Sequence, residues 1–134
     1  MKRIPTPTAR DWKDTPGSAV LGKNPDGSVR DRTDRLAIYA YEKEREESGQ
    51  CQGQLSPDWV EWLMGWPIGW TRQEIMELEW RDWSEDPAFS GEIPRVTIST
   101  KDRANRLKAI GNGQVPAVAA LAWETLTEQM ELEL

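Results

Sequence analysis

Gly111-Asn112-Gly113 stands between two stretches of helical periodicity, and no other feature restricts the fold as strongly. Upstream, Lys101 to Ile110 reads as helix. Downstream, Pro116 opens a run in which Val118, Leu121, Ala122, Leu126 and Met130 recur three or four residues apart, the spacing of a helix with one apolar stripe. Proline suits the first turn of a helix, where its missing N–H has no intrahelical partner to lose. The chain must therefore reverse between two helices within a few residues. A Gly-Asn-Gly turn has two physical uses there. With no Cβ in the way, its amides can point outward ahead of a helix and hold a small polar or anionic group. Alternatively, the glycines are caps in a plain helix–helix connection.

At 134 residues the chain has one domain's worth of length. Only 37% of it is hydrophobic, and the aromatic supply is eight Trp against one Phe and two Tyr. Tryptophan must then carry much of the burial. Leu55-Ser56-Pro57-Asp58 is a helix start, with Ser56 as N-cap, Pro57 in the first turn and Asp58 against the positive end of the dipole. Trp59, Trp62, Leu63 and Trp66 follow at helical spacing until Gly65 and Pro67 stop the run. Core packing is the favoured role for this cluster over a base-stacking platform, because its surroundings (Glu61, Glu74, Glu77, Glu79) are acidic. The pair Glu77 and Asp82 is read as solvated surface.

Residues 1–35 are rich in Pro, Gly, Asp, Thr and Arg and show almost no apolar periodicity, which reads as an extended or partly disordered arm. Leu36, Ala37, Tyr39, Ala40 and Tyr41 then begin a helix that runs through the charged stretch Glu42 to Glu47 and ends near Ser48-Gly49. Thr71 is expected to cap a further helix over Arg72 to Asp82, with Ile75, Leu78 and Met76 inward. Arg95-Val96-Thr97-Ile98-Ser99 alternates and is β-branched, so it is the best strand, paired with the arm or with a partner. The expected fold is a small single α+β domain, mostly helical, with a short strand or hairpin and the N-terminal arm; residues 36–134 form the helical domain.

The net charge of −6 argues against tight autonomous binding to nucleic acid, whose affinity comes mainly from phosphate neutralisation. The balance is uneven: residues 1–35 hold eight basic and five acidic residues, Arg95 to Lys108 five and one, and Glu124 to Leu134 four acidic and no basic. The single cysteine, Cys51, excludes an internal disulfide and a cysteine-cluster metal site, and the absence of histidine removes the commonest metal ligand. No metal is expected. No leader pattern opens the chain and no apolar run approaches ~18 residues, so a cytoplasmic protein off the membrane is expected.

Two segments carry a family resemblance. Leu55-Ser56-Pro57-Asp58-Trp59-Val60-Glu61-Trp62-Leu63-Met64-Gly65-Trp66-Pro67-Ile68-Gly69-Trp70-Thr71 resembles the ninth motif of DNA cytosine-5 methyltransferases, especially phage-type ones. Arg103-Ala104-Asn105-Arg106-Leu107-Lys108-Ala109-Ile110-Gly111-Asn112-Gly113-Gln114-Val115-Pro116 resembles the tenth. Pro5-Thr6-Pro7-Thr8-Ala9-Arg10-Asp11-Trp12-Lys13 is similar to sequence upstream of the ninth motif in the phage-type enzymes. The resemblance implies that Gly111, Asn112 and Gly113 face S-adenosylmethionine, since in the family the tenth-motif loop helps close that pocket. It also makes Trp59, Trp62 and Trp66 structural. Family members usually carry a small or alcohol residue after the Gly-Asn pair; Gly113 keeps the size and loosens the loop.

The family's nucleophile is a cysteine after a proline, whereas Cys51 lies between Gln50 and Gln52. The Gly-rich cofactor loop and the Glu-Asn-Val element are also missing. The resemblance therefore implies a non-catalytic chain that holds no cofactor by itself, with S-adenosylmethionine bound only beside a complementing catalytic chain.

Three functions follow as expectations. The first is the complementing subunit of a split methyltransferase, with an exposed apolar seam on the last helix and a partner-binding region at Arg103, Arg106, Lys108 and Gln114. The second is an acidic phage inhibitor of a host defence system (anti-CRISPR or anti-restriction), acting by protein binding or by mimicking DNA through Glu42 to Glu47, Glu74 to Asp86 and Glu124 to Glu133. The third is a small DNA-binding module using Arg30, Arg32, Arg35 and Arg95 to Lys108; the charge balance ranks it last.

Overall fold

The computed structural model of the chain describes residues 3–98 and 100–132. Helix α1 spans Leu36–Ser48. Its first two turns are the centre of the core, with Leu36, Ala37, Ile38, Ala40 and Tyr41 all buried, and its charged second half runs out to the surface. Gly49 ends it in the left-handed region (φ 75°), donating its N–H to the Arg45 carbonyl, a conformation that costs glycine little.

The chain then forms β3 (Gln54–Leu55), antiparallel to β4 (Val96–Thr97) with Leu55 opposite Val96. The strand expected over Arg95 to Ser99 thus exists in shorter form and pairs with the segment entering the second helix rather than with the arm. Ser99 itself lies outside the described residues. Helix α2 spans Pro57–Leu63, with Ser56 as N-cap and Pro57 at its start, as the sequence predicts. Trp59 and Val60 are fully enclosed, and Trp62 stacks near Trp59 with ring centroids 6.2 Å apart.

The helix expected over Arg72 to Asp82 does not form. Hydrogen bonds from neighbouring elements hold this segment open instead. Glu61 takes the amide of Thr71 at 2.8 Å and its hydroxyl at 2.5 Å, so Thr71 is tied to α2 rather than capping a helix. Ile68 donates to the Glu79 carbonyl, Trp62 Nε1 to the Asp82 carbonyl, and Trp83 Nε1 to the Trp62 carbonyl. These bonds, with the Ile68–Glu79 bridge, tie the segment to α2 and the loop after it in an open course. Ile75 is consequently fully exposed, and Met76 and Leu78 are partly so, rather than inward.

A short helix, α3 (Pro87–Ser90), is capped by Asp86, which accepts from the Ala88 amide. Helix α4 spans Arg103–Gly111 and sets Leu107 and Ile110 into the core, and α5 spans Pro116–Leu132. The molecule is a small, mostly helical α+β domain.

The N-terminal region is extended for most of its length, with a single 3-10 turn at Asp11–Lys13 and a hairpin of β1 (Leu21–Lys23) and β2 (Val29–Asp31) in which Gly22 faces Arg30. It is seated on the helical part: Tyr41 donates its hydroxyl to the Asp14 carbonyl at 2.8 Å, and Arg103 donates to the Trp12 carbonyl at 2.8 Å. Met1 and Lys2 lie outside the described residues.

Candidate functional site

The Gly-Asn-Gly joint does not present its amides outward. Asn112 donates to the carbonyls of Lys108 and Ala109, and Gly113 donates to that of Ile110 at 2.9 Å, so both amides close the end of α4. The outward-facing amide cradle that the spacing allows is therefore replaced by a helix C-cap. The glycines serve packing. A Cβ on Gly111 would stand 2.2 Å from the Thr8 carbonyl carbon, and one on Gly113 would stand 2.3 Å from the Trp66 ring. The joint is where the N-terminal segment, the loop after α2 and the α4–α5 connection meet.

The four residues expected to touch a partner divide by burial. Arg106 is buried and belongs to the interior: its guanidinium reaches Asp58 at 2.6 Å and Glu61 at 3.1 Å, and its Nε donates to the Thr71 hydroxyl at 2.9 Å. Arg103 is half-buried and ties the Trp12 and Leu55 carbonyls together. Both act as internal clasps in the chain, each satisfying acceptors that the sequence alone does not bring near it. Lys108 and Gln114 are exposed; Lys108 sits 4.5 Å from the centre of the Trp12 ring, and the Gln114 carbonyl accepts from Trp66 Nε1 at 2.9 Å.

Glu61, one of the acidic residues around the Trp cluster, is 0% exposed. Its carboxylate also accepts from the Gly69 amide at 2.6 Å. A second interior clasp is Arg95, which donates to Asp86 at 2.8 and 3.0 Å and to Glu47 at 2.6 Å while lying 5.0 Å from the centre of the Phe89 ring. One signal was available for Glu61, a carboxylate set among Val60, Trp62 and Leu63 on a short apolar helix. With Arg95, Arg103 and Arg106 turned inward, the continuous basic face from Arg30 through Lys108 is broken; Arg30, Arg32 and Arg35 lie apart from it around a separate cleft.

The dominant surface feature is α5. None of its described residues is buried, although it carries Val118, Leu121, Trp123, Leu126 and Met130, with Leu121 64% and Trp123 72% exposed. Val118, Ala122, Leu126 and Met130 follow one i, i+4 row, so most of this apolar surface is on one side. At the foot of the helix a largely apolar cleft of about 440 Å³ is lined by Met64, Gly111, Gly113, Val115, Val118 and Ala122. Gly111, Gly113 and the helix above them are thus parts of one continuous face.

Among the described residues no group of three or more His, Cys, Asp or Glu is arranged to hold a metal. Burial raises the Cys51 thiol above its ordinary value, which disfavours the thiolate. No helix among the described residues is long and apolar enough to cross a membrane. Comparison with protein-family models, with curated proteins and with solved structures finds no match to the chain.

Proposed function

We propose that the chain is a non-catalytic, protein-binding domain that docks on the catalytic half of a cytosine-5 methyltransferase of phage type through α5 and the cleft beneath it. The observation that carries this reading is a 17-residue helix that bears an apolar stripe and buries none of its residues. Burying a large aliphatic side chain stabilises by about 1.5 to 3 kcal/mol, and most of a helix's stability in a protein comes from packing its apolar face. A cover for this face is therefore favoured energetically. The resemblance supplies the occupant, because in that family the ninth and tenth motifs belong beside the half that carries the nucleophile and the Gly-rich loop.

On this reading Gly111, Asn112 and Gly113 are one wall of an S-adenosylmethionine pocket that the partner completes, and the chain alone holds no cofactor. Lys108 and Gln114 border the contact, while Arg103 and Arg106 keep its supports in place. Co-expression with a catalytic half lacking these two motifs tests the proposal. A co-purifying complex that takes up S-adenosylmethionine supports it; a catalytic half that elutes alone, or an α5 face satisfied by self-association of this chain, overturns it.

A second reading, an acidic inhibitor of a nucleic-acid-handling defence protein, draws on the same helix, whose polar side carries Glu124, Glu128 and Glu131 without a basic residue. Steep salt dependence of binding to such a protein distinguishes charge mimicry from apolar docking. Glu133 of this acidic strip lies outside the described residues.

A further inference from the structure

The 3-10 turn, the β1–β2 hairpin and the start of α1 surround a cleft of about 540 Å³ whose lining includes Arg10, Lys13, Asp14, Arg30, Arg32 and Arg35. Five cations around one concavity is a marked local excess in a chain of net charge −6. It has no residue in common with the α5 cleft.

The single carboxylate does not neutralise the group. Asp14 is buried and holds Arg35 through contacts of 2.8 and 3.1 Å, with Arg32 approaching at 3.6 Å. Arg30 is fixed by its Nε, which donates to Asn24 Oδ1 at 2.7 Å, so its terminal nitrogens keep their donors. Arg10, Lys13 and Arg30 form no ion pair with another described residue. Arg32 Nε is buried and has no acceptor among the described residues.

Like charges gathered in a concavity with low-dielectric walls repel one another and concentrate the field into the cleft. A buried donor without an acceptor adds to that cost. One ligand chemistry relieves both: an oxyanion, whose oxygens accept from guanidinium forks and whose charge offsets the cluster. We infer that this cleft is a binding site for a phosphate group, borne by a phosphorylated small molecule or by a nucleic-acid backbone.

Calorimetric titration of the full chain with inorganic phosphate, against chloride at equal ionic strength, tests the inference. Saturable phosphate binding is expected, weakened about tenfold or more in the double variant Lys13→Gln with Arg30→Gln. Lys13 is exposed, Arg30 is part-buried with its only side-chain bond to Asn24, and neither holds Asp14, so the fold is expected to remain, which circular dichroism checks. Competition identifies the source: displacement of phosphate by a nucleoside monophosphate but not by a short duplex assigns a small molecule, and displacement by the duplex with a steep salt dependence assigns a backbone. No saturable heat with phosphate, an equal response to chloride, or unchanged affinity in the double variant overturns the inference.

Discussion

Trp66 and Gly113 are in contact so close that a Cβ on the glycine would stand 2.3 Å from the indole ring, and Trp66 Nε1 donates to the next carbonyl, that of Gln114, at 2.9 Å. The contact joins the loop after α2 to the hinge between α4 and α5, two segments separated by nearly fifty residues. Gly113→Ala should force the ring aside and destabilise the domain by about 1 to 3 kcal/mol, the usual cost of overpacking. Gly111→Ala meets the main chain of Thr8 and Ala9 rather than a ring. It should expose the N-terminal segment to protease at concentrations that leave the parent intact. Urea midpoints and limited proteolysis read the two outcomes, and a neutral Gly111→Ala variant would show that the approach of Thr8 is not required.

The tryptophans separate into two groups by burial. Trp62 is 5% exposed and donates to the Asp82 carbonyl, whereas Trp70 is 57% exposed. Trp62→Ala should cost about 3 to 5 kcal/mol. Trp70→Ala should stay within about 0.5 kcal/mol, as exposed substitutions do. Chemical denaturation of both variants measures the contrast; equal losses would mean that the loop following α2 carries core energy through Trp70.

Elements of this chain set by short-range forces are legible in its sequence, and those set by distant partners are not. α1, α2, α4 and α5 were legible because apolar spacing, Ser56-Pro57, Gly49 and Pro116 act within a turn of the residues they organise. Arg72 to Asp82 carries helix formers and reads as helix, but Ile68 and Trp62, which lie before it in the chain, donate to its Glu79 and Asp82 carbonyls and tie it in an open course. Arg106 looked like a solvent-facing cation because its partners, Asp58 and Glu61, are about forty-five residues away. The glycine pair was recognisable as a joint, yet its requirement for small residues comes from Thr8 and Trp66, which no local pattern connects to it. The stripe on α5 was equally plain, while its lack of a covering element is a property of the whole fold.

Asp11 gives the fold a pH dependence. Its carboxyl is 2% exposed, and Oδ1 has no hydrogen-bond partner among the described residues. Burial raises its pKa above the ordinary 3.8, reinforced by the neighbouring Asp14 charge and opposed by the hydrogen bonds from Thr8. A carboxyl that titrates higher in the folded state favours folding when protonated. That contribution is complete below 3.8 and is lost as pH rises through the raised folded value. Asp11→Asn keeps an acceptor for the Thr8 amide and removes the charge. Its stability relative to the parent should therefore improve between about pH 3 and about pH 7, read from urea midpoints across that range. A pH-independent difference would remove Asp11 as the cause.

The Arg106 clasp should be among the most sensitive positions in the chain. Arg106→Ala leaves Glu61, which is 0% exposed, with its amide and hydroxyl donors but without a counter-ion. Removing one partner of a buried pair costs about 3 to 5 kcal/mol. Arg72→Ala breaks the more exposed contact to Asp58 and a long one to the Met76 sulfur, so its loss should be under about 1 kcal/mol. Thermal and urea unfolding of the two variants give the comparison. Similar small losses from both would mean that Glu61 is held by its hydrogen bonds alone.

Substitutions on α5 should have the opposite signature, leaving the fold intact while removing association. Leu121 is 64% and Leu126 59% exposed, so replacing both with Asp removes little burial from the isolated chain. Two carboxylates on the apolar stripe would be desolvated without partners in a complex, a cost of several kcal/mol. The Leu121→Asp, Leu126→Asp variant should keep the parental unfolding free energy to within about 0.5 kcal/mol and weaken capture of the proposed catalytic partner by about a hundredfold or more. Exposed apolar patches of this extent mark interaction surfaces, and a variant that still binds with parental affinity would move the contact off α5 altogether.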